Sequence, residues 1–485
     1  MAFLNEELWR GRVFTGKWEQ VSTERAVMEP ATGAELGRVG LASTEDLERS
    51  AEAAAQAQHD WAAMPFTERA AILRRAGELW REHADELRQW LVREAGSAPG
   101  KADFELSVAE QECFEAAGLP SRSQGELLPS EAPRLSMARR VPAGVVGVIA
   151  PFNAPLILSI RSVAPALALG NAVVLKPDPR TAVCGGIALA RIFEEAGLPP
   201  GVLHVLPGGA DVGAGLVATP ETRVISFTGS TQAGQSIGEL AGRHLKRAHL
   251  ELGGNSALVV LDDADLDRAM STAAWGSFFH QGQICMTTGR HLVHTSLYDE
   301  YVERLADKAK NLPVGNPATE EVALGPIIDA GQRDKIHGLV EASKRAGARV
   351  AAGGDYEDLF YRPTVLADAG PGVPAYDEEV FGPVAPVARF STVDEAVELA
   401  SASEYGLSLG ILTADTGRGM AVAERIPTGI AHINDQTVND EAQAPFGGVR
   451  ASGTGARFGG DHANIEAFTE TRWITVRGDI ATYPF

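Results

Sequence analysis

Thiol and carboxylate side chains carry the reactive potential of this 485-residue chain. Its three cysteines, Cys113, Cys184 and Cys285, are too sparse for a disulfide framework and lack the paired spacing of a zinc site, so a reducing compartment fits and one of them could serve as a nucleophile. Cys285 has the most suggestive surroundings. It lies in FHQGQICMTTGRHLV, residues 279 to 293, where a helical segment gives way to a strand, and Gly282 and the small residues after Cys285 let backbone approach a ligand closely. A cysteine in an apolar setting also fits an inert core position. Glu251, thirty-four residues upstream in HLELGGNSALVV, ends an apolar strand ahead of two glycines. A carboxylate there is desolvated, which raises its pKa toward the range in which it accepts a proton from water. Taken singly, it also reads as a hydrogen-bonded structural residue.

The elements around these two residues alternate between helical and extended patterns. From Ser43 to Ala95 the apolar positions Ile72, Leu73, Ala76, Leu79, Trp80, Leu87, Trp90 and Leu91 return near a 3.6-residue period, which predicts helices with a core-facing stripe; Thr44 and Thr67 are the expected N-caps. From about residue 141 to 260, short apolar runs alternate with glycine-rich turns and helix-like segments: VVGVIA, AVVLK, LHVLP, RVISF and ALVVL. Buried strands alternating with helices predict a parallel, doubly wound sheet and make a dinucleotide-binding unit the leading candidate. Residues 262 to 449 repeat the alternation with segments such as LYDEYVERLADKAK and LSLGILT. Residues 121 to 140 are polar and interrupted by Pro129 and Pro133, as in a protruding hairpin. Together with the C-terminal run WITVR it could pair strands across subunits.

Bulk properties narrow the class. A chain of this length exceeds what one hydrophobic core supports, so at least two domains are expected. Acidic residues exceed basic ones, 64 against 43, and the resulting surface potential disfavours nucleic acid. It still permits an anionic dinucleotide, which is held by local amides and a few lysines. No run approaches the ~20 apolar residues of a membrane span, and MAFLNEELWRGR lacks the order of a signal peptide, so a cytoplasmic location with no membrane partner is expected.

Seven motifs in order, APFNAP (150 to 155), VVLKPD (173 to 178), FTGST (227 to 231), LELGGN (250 to 255), GQIC (282 to 285), EEVFGP (378 to 383) and APFGG (444 to 448), resemble those of the aldehyde dehydrogenase superfamily from about residue 20 to the C-terminus. The resemblance implies two doubly wound α/β domains, one Rossmann-like for the cofactor and one catalytic, plus a small β oligomerisation element. It divides the chain into a cofactor domain at 1 to 120 and 141 to 252, a catalytic domain at 253 to 450, and the hairpin 121 to 140 with the arm 451 to 485, assembled as a homodimer or homotetramer. It makes Cys285 the nucleophile that forms a thiohemiacetal and then a thioester, Glu251 the base for hydrolytic water, and Asn153, with the Cys285 amide, the oxyanion hole. Asn153 alone would also suit a turn before Pro155.

The same resemblance assigns the cofactor contacts. VISFTGST reads as strand, tight turn and helix start, so Gly229 and Ser230 can bring amides to a pyrophosphate. Lys176 resembles a lysine for the adenosine ribose, and Glu379 and Phe381 resemble residues that hold the nicotinamide ribose and back the ring. Plain readings remain open for these: a solvated lysine at a strand end and ordinary loop packing. Many NAD-preferring members carry a glutamate three residues after that lysine, whereas this chain reads Lys176, Pro177, Asp178, Pro179, Arg180. The missing charge predicts that NADP is accepted as well as NAD, while Asp178 could still bind a ribose hydroxyl and favour NAD.

The segment GIAHINDQTVNDEAQAPFGGVRASG (429 to 453) resembles the benzaldehyde and vanillin dehydrogenase branch. On that reading Phe152, Phe446, Ile284 and Met286 form an apolar tunnel mouth, although each also suits plain core. Arg161, Asn434 and Thr437 are candidate polar contacts to a ring substituent. Competing readings are oxidation of aliphatic aldehydes or semialdehydes, acyl transfer to coenzyme A, which the presence of Glu251 opposes, and a scaffold that has lost catalysis. No metal is implied.

Overall fold

The computed structural model describes residues 2 to 485. Two seven-stranded sheets organise the chain. In the first, the order runs Arg247–Glu251, Thr222–Thr228, Val145–Ile149, Ala172–Lys176, Leu203–Val205, Arg12–Phe14, Trp18–Gln20. The first five strands are mutually parallel and the N-terminal hairpin extends the sheet antiparallel. Strand order reverses between Val145–Ile149 and Thr222–Thr228, and in open α/β sheets the carboxyl ends at such a reversal open a crevice. Asn153, Gly229 and Ser230 follow these two strand ends in sequence.

The second sheet runs Arg349–Ala352, Thr364–Ala367, Val384–Phe390, Thr288–His294, Ser256–Val260, Ser408–Leu412, Ile430–Ile433. Only its first pair is antiparallel. ALVVL therefore belongs to this second sheet, not with the four preceding runs. The chain crosses between sheets through residues 252 to 255, where bulk is excluded: a Cβ on Gly254 would lie 2.3 Å from the Cys285 carbonyl oxygen. Separate apolar clusters fill the faces of each sheet.

The predicted helical stretch resolves into Thr44–Ala63, Phe66–Glu82 and Ala84–Glu94. Its stripe is buried except at Ile72 and Trp90, which are half-buried. Both expected N-caps move. Ser43, not Thr44, caps the first helix, because its hydroxyl accepts from the Asp46 amide while the Asp46 carboxylate accepts from the Ser43 amide in a reciprocal capping box. The second helix starts at Phe66 after Pro65, leaving Thr67 inside the first turn.

The third sheet is small, ordered Thr469–Val476, Leu135–Pro142, Gly125–Leu127. The C-terminal run WITVR pairs with the chain's own hairpin, Trp473 opposite Ala138 and Ile474 opposite Met137. Among the described residues no helix is long and apolar enough to cross a membrane.

Candidate active site

Two cavities meet between the carboxyl ends of the first sheet and the amino ends of the second. The larger, about 590 Å³, is bordered by Ile284, Met286, Phe446 and Arg161; the other, about 390 Å³, by Lys176, Asp178, Gly229, Ser230, Glu379 and Phe381. Asn153, Leu158 and Cys285 border both. Cys113 and Cys184 are buried, whereas Cys285 is partly accessible through the cavities. Geometry thus singles out the cysteine that local sequence had favoured.

The approach to Cys285 is strained and pinned. His280 and Gln281 adopt left-handed φ of +49° and +56°, followed by Gly282 at +65°, an arrangement that non-glycine residues hold only when their surroundings over-determine it. Those surroundings are visible: Gln281 Nε2 donates to the carbonyls of Gly96 at 3.0 Å and Pro326 at 2.9 Å, and Gln283 Oε1 accepts from the Ile328 amide at 3.1 Å. Glycine is required at 282, where a Cβ would meet the Gly382 carbonyl oxygen at 2.1 Å. Burial pushes the Cys285 thiol up to about 12, with the carboxyls of Glu379 and Glu251 adding to the rise. The resting thiol is accordingly neutral.

Glu251 ends the strand Arg247–Glu251 and is 3% exposed. Among the described residues neither carboxylate oxygen has a hydrogen-bond partner, although the Gly448 amide approaches without reaching bonding geometry. Burial raises its pKa well above the carboxylate range against the opposing pull of Arg161 and Arg457. An unpaired buried carboxyl is costly, and its persistence suits a group that exchanges protons.

The second cavity has the character of a dinucleotide site. Ser230 caps the helix Thr231–Arg243, its hydroxyl accepting from the Ala233 amide, and this helix N-terminus borders the cavity. Lys176 ends a strand beside Asp178, its pKa lowered by burial. Glu379 accepts from the Gly254 amide at 2.9 Å, and burial raises its carboxyl to about 7. Phe381, at φ +54°, meets Phe152 edge to face at 6.0 Å between ring centroids. Arg180 is already engaged. Its guanidinium grips Asp178 through Nε at 3.0 Å and Nη2 at 2.8 Å, reaches Asp329 through Nη1 at 2.8 Å, and lies 4.1 Å over the Phe152 ring. Burial pushes the Asp178 carboxyl up, but the bonds from Arg180 outweigh it and leave the group below its ordinary value.

Arg161 enters the larger cavity from the helix Pro155–Ala168, with its guanidinium 4.2 Å above the Phe446 ring, paired with Asp440 and 3.8 Å from Glu112. Three expected substrate contacts fall elsewhere. Phe152 borders the second cavity, where Arg180 and Phe381 hold its ring. Asn434 takes a left-handed φ of +61° after the strand Ile430–Ile433, and its side-chain oxygen accepts from the Thr413 amide at 2.9 Å, beside a separate surface cavity. Thr437 is buried with its hydroxyl 2.7 Å from that of Thr288. Sequence reasoning also missed Lys101, Glu105, Phe104, Trp275, Phe279 and Asp440, all bordering the larger cavity. Trp275 and Phe279 stack at 4.2 Å, and their four-residue spacing was a usable signal.

Residues 18 to 474 match the aldehyde dehydrogenase family. The chain is 78% identical to a vanillin dehydrogenase of Amycolatopsis sp. over 100% of both chains, and 52% identical to a benzaldehyde dehydrogenase (NAD+) of Pseudomonas putida over 99% of both. Its fold matches the crystal structure of a Staphylococcus aureus betaine aldehyde dehydrogenase in complex with NAD+ with a TM-score of 0.96 at 30% identity, covering 100% of this chain and 98% of that one. With the family match spanning nearly the whole chain and both sheets ordered around one cysteine, this protein belongs to the aldehyde dehydrogenase family.

Proposed function

We propose that the protein oxidises an aromatic aldehyde of the benzaldehyde or vanillin type to its carboxylic acid, with NAD as preferred cofactor and Cys285 as nucleophile. The observation that carries this reading is the position of Cys285 and Asn153 on the border shared by two cavities, one apolar and partly aromatic, the other bordered by a helix N-terminus and a lysine. The names of the two similar enzymes, vanillin and benzaldehyde dehydrogenase, support the substrate class.

The second cavity fits a dinucleotide. Gly229 and Ser230 would meet the pyrophosphate, Lys176 and Asp178 the adenosine ribose, and Glu379 and Phe381 the nicotinamide end. When bound there, the oxidised nicotinamide supplies the hydride acceptor that the oxidation requires. Asp178 is held as a carboxylate and Arg180 is committed to two aspartates, so a 2′-phosphate meets a negative charge without a free guanidinium. NADP is accepted on this reading, but less well than NAD.

The remaining steps belong to the chain. The Cys285 thiol gives up its proton to water, and the resulting thiolate attacks the aldehyde carbon to form a thiohemiacetal. The Asn153 side-chain amide and the Cys285 backbone amide donate to its oxyanion. Once the adduct has become a thioester, Glu251 takes a proton from water as that water attacks the carbonyl, and Cys285 leaves as the acid is released. Leu127, Trp473 and Val476 are exposed on the small sheet, which supports assembly as a homodimer or homotetramer through that face. A panel of aromatic and aliphatic aldehydes, followed at the reduced-nicotinamide absorbance band with both cofactors, tests the substrate class; faster turnover of aliphatic aldehydes would refute it.

A further inference from the structure

We propose that Lys101 and Glu105, which the reaction itself does not consume, are positioning residues that set the place of Asn153; this inference rests on Asn153 being an oxyanion donor. Both lie on the helix Pro99–Gly118, one turn apart, and form a buried ion pair, 2% and 0% exposed respectively. Each also grips the turn that carries Asn153. Lys101 Nζ donates to the Asn153 carbonyl at 2.7 Å, and Glu105 Oε2 accepts from the Leu156 amide at 3.0 Å. The pair therefore spans residues 153 to 156 from one side, between the strand Val145–Ile149 and the helix Pro155–Ala168.

Nothing else fixes Asn153 as directly. Among the described residues, its one hydrogen bond in normal geometry is the bond its carbonyl accepts from Lys101; the His280 ring lies near that carbonyl, but neither ring nitrogen reaches a partner. Its side-chain amide borders both cavities and is tied to no protein group, so its aim depends on the backbone beneath it. A buried ion pair contributes little to stability compared with an apolar pair of the same shape, because desolvation offsets the attraction. Holding a backbone carbonyl and an amide at fixed separation is something an apolar pair cannot do. Small displacement of a group that must meet a developing charge lowers rate steeply, by ~100-fold for about 1 Å.

The test is a mutant cycle in the full-length enzyme. Lys101→Met with Glu105→Gln removes both charges together, leaving no unpaired one behind, and keeps a side chain able to accept from Leu156. In the otherwise unaltered chain, kcat with benzaldehyde should fall ~10- to 100-fold while the NAD dissociation constant, read by fluorescence titration, stays within about twofold. In an Asn153→Ala background the same pair of changes should alter kcat less than about threefold, because the group being positioned is gone. Equal losses in both backgrounds, or no loss in the first, would overturn the inference. If Asn153→Ala alone leaves kcat intact, the oxyanion role falls, and the inference with it. Glu105→Asp, which draws the carboxylate back by one methylene with its charge kept, runs in the same cycle in case the double variant does not fold.

Discussion

Asn153 and Cys285 come from different sheets, one following the carboxyl end of a first-sheet strand and the other preceding a second-sheet strand, and yet they border the same two cavities. A carbonyl carbon bound between them would face a hydride acceptor on one side and its own aromatic ring on the other. Neither sheet alone assembles this arrangement.

Replacing the sulfur should separate Cys285 from Cys113. Cys285→Ala should lower turnover by at least about a thousandfold, whereas Cys113→Ala, in the core and away from both cavities, should keep kcat within about twofold and lower the melting temperature. Steady-state kinetics and thermal unfolding on the same preparations check both expectations. Full activity in Cys285→Ala would remove the thioester from the account.

The pH profile should report Glu251. Burial raises its pKa, so the group stays protonated, and unable to accept a proton, until the pH passes well above the ordinary carboxylate range. Hydrolysis of the thioester should therefore accelerate as pH rises and slow as it falls. In single-turnover measurements of acid release, Glu251→Gln should abolish this rise; an unchanged profile in the variant would assign the base elsewhere.

Cofactor choice should follow Asp178. With the native residue, kcat/KM should be higher with NAD than with NADP, yet measurable with both. Asp178→Asn removes the negative charge and loosens Arg180, which should narrow the gap by about tenfold, equivalent to ~1.4 kcal/mol. Undetectable turnover with NADP would refute dual use, and an unchanged ratio in the variant would clear Asp178 of the discrimination.

Ring recognition should depend on Phe446, which borders the larger cavity with the Arg161 guanidinium over its ring. Phe446→Ala should raise KM for benzaldehyde about tenfold, while acetaldehyde, which has no ring to stack, should change little. Asn434 offers the contrasting case. Its left-handed φ and its bond to the Thr413 amide mean that Asn434→Ala should lower the melting temperature without changing KM, and that Asn434→Gly, which tolerates the backbone angle, should recover part of the loss. A rise in KM for Asn434→Ala would return it to the substrate site.

The parallel strands of the first sheet were legible because apolar runs such as AVVLK are bounded by turn residues, Gly170 and Asn171 before it and Pro177 after it, and the structure starts and stops that strand at the same residues, Ala172–Lys176. Motif order pointed to Cys285 and Asn153, which the structure brings to the border of both cavities, and to Glu251, which it buries at a strand end. Orientation within the motifs was not legible. Phe152 and Asn153 are adjacent in the bend after the strand Val145–Ile149, and there Phe152 falls under Arg180 in the second cavity while Asn153 borders both cavities. Asn434 looked available for binding because sequence does not reveal a left-handed backbone angle, and the helical spacing of Lys101 and Glu105 gives no sign of their burial. Only the packing of their helix against residues 153 to 156 buries them.

The central claim is that acyl transfer passes through the Cys285 sulfur and stalls without Glu251. Glu251→Gln mixed with benzaldehyde and NAD, quenched, and analysed by intact-mass spectrometry with peptide mapping should carry one benzoyl group per chain on Cys285, formed with a burst of reduced nicotinamide. A burst of that size with the acyl group absent, or found on any other residue, would contradict it.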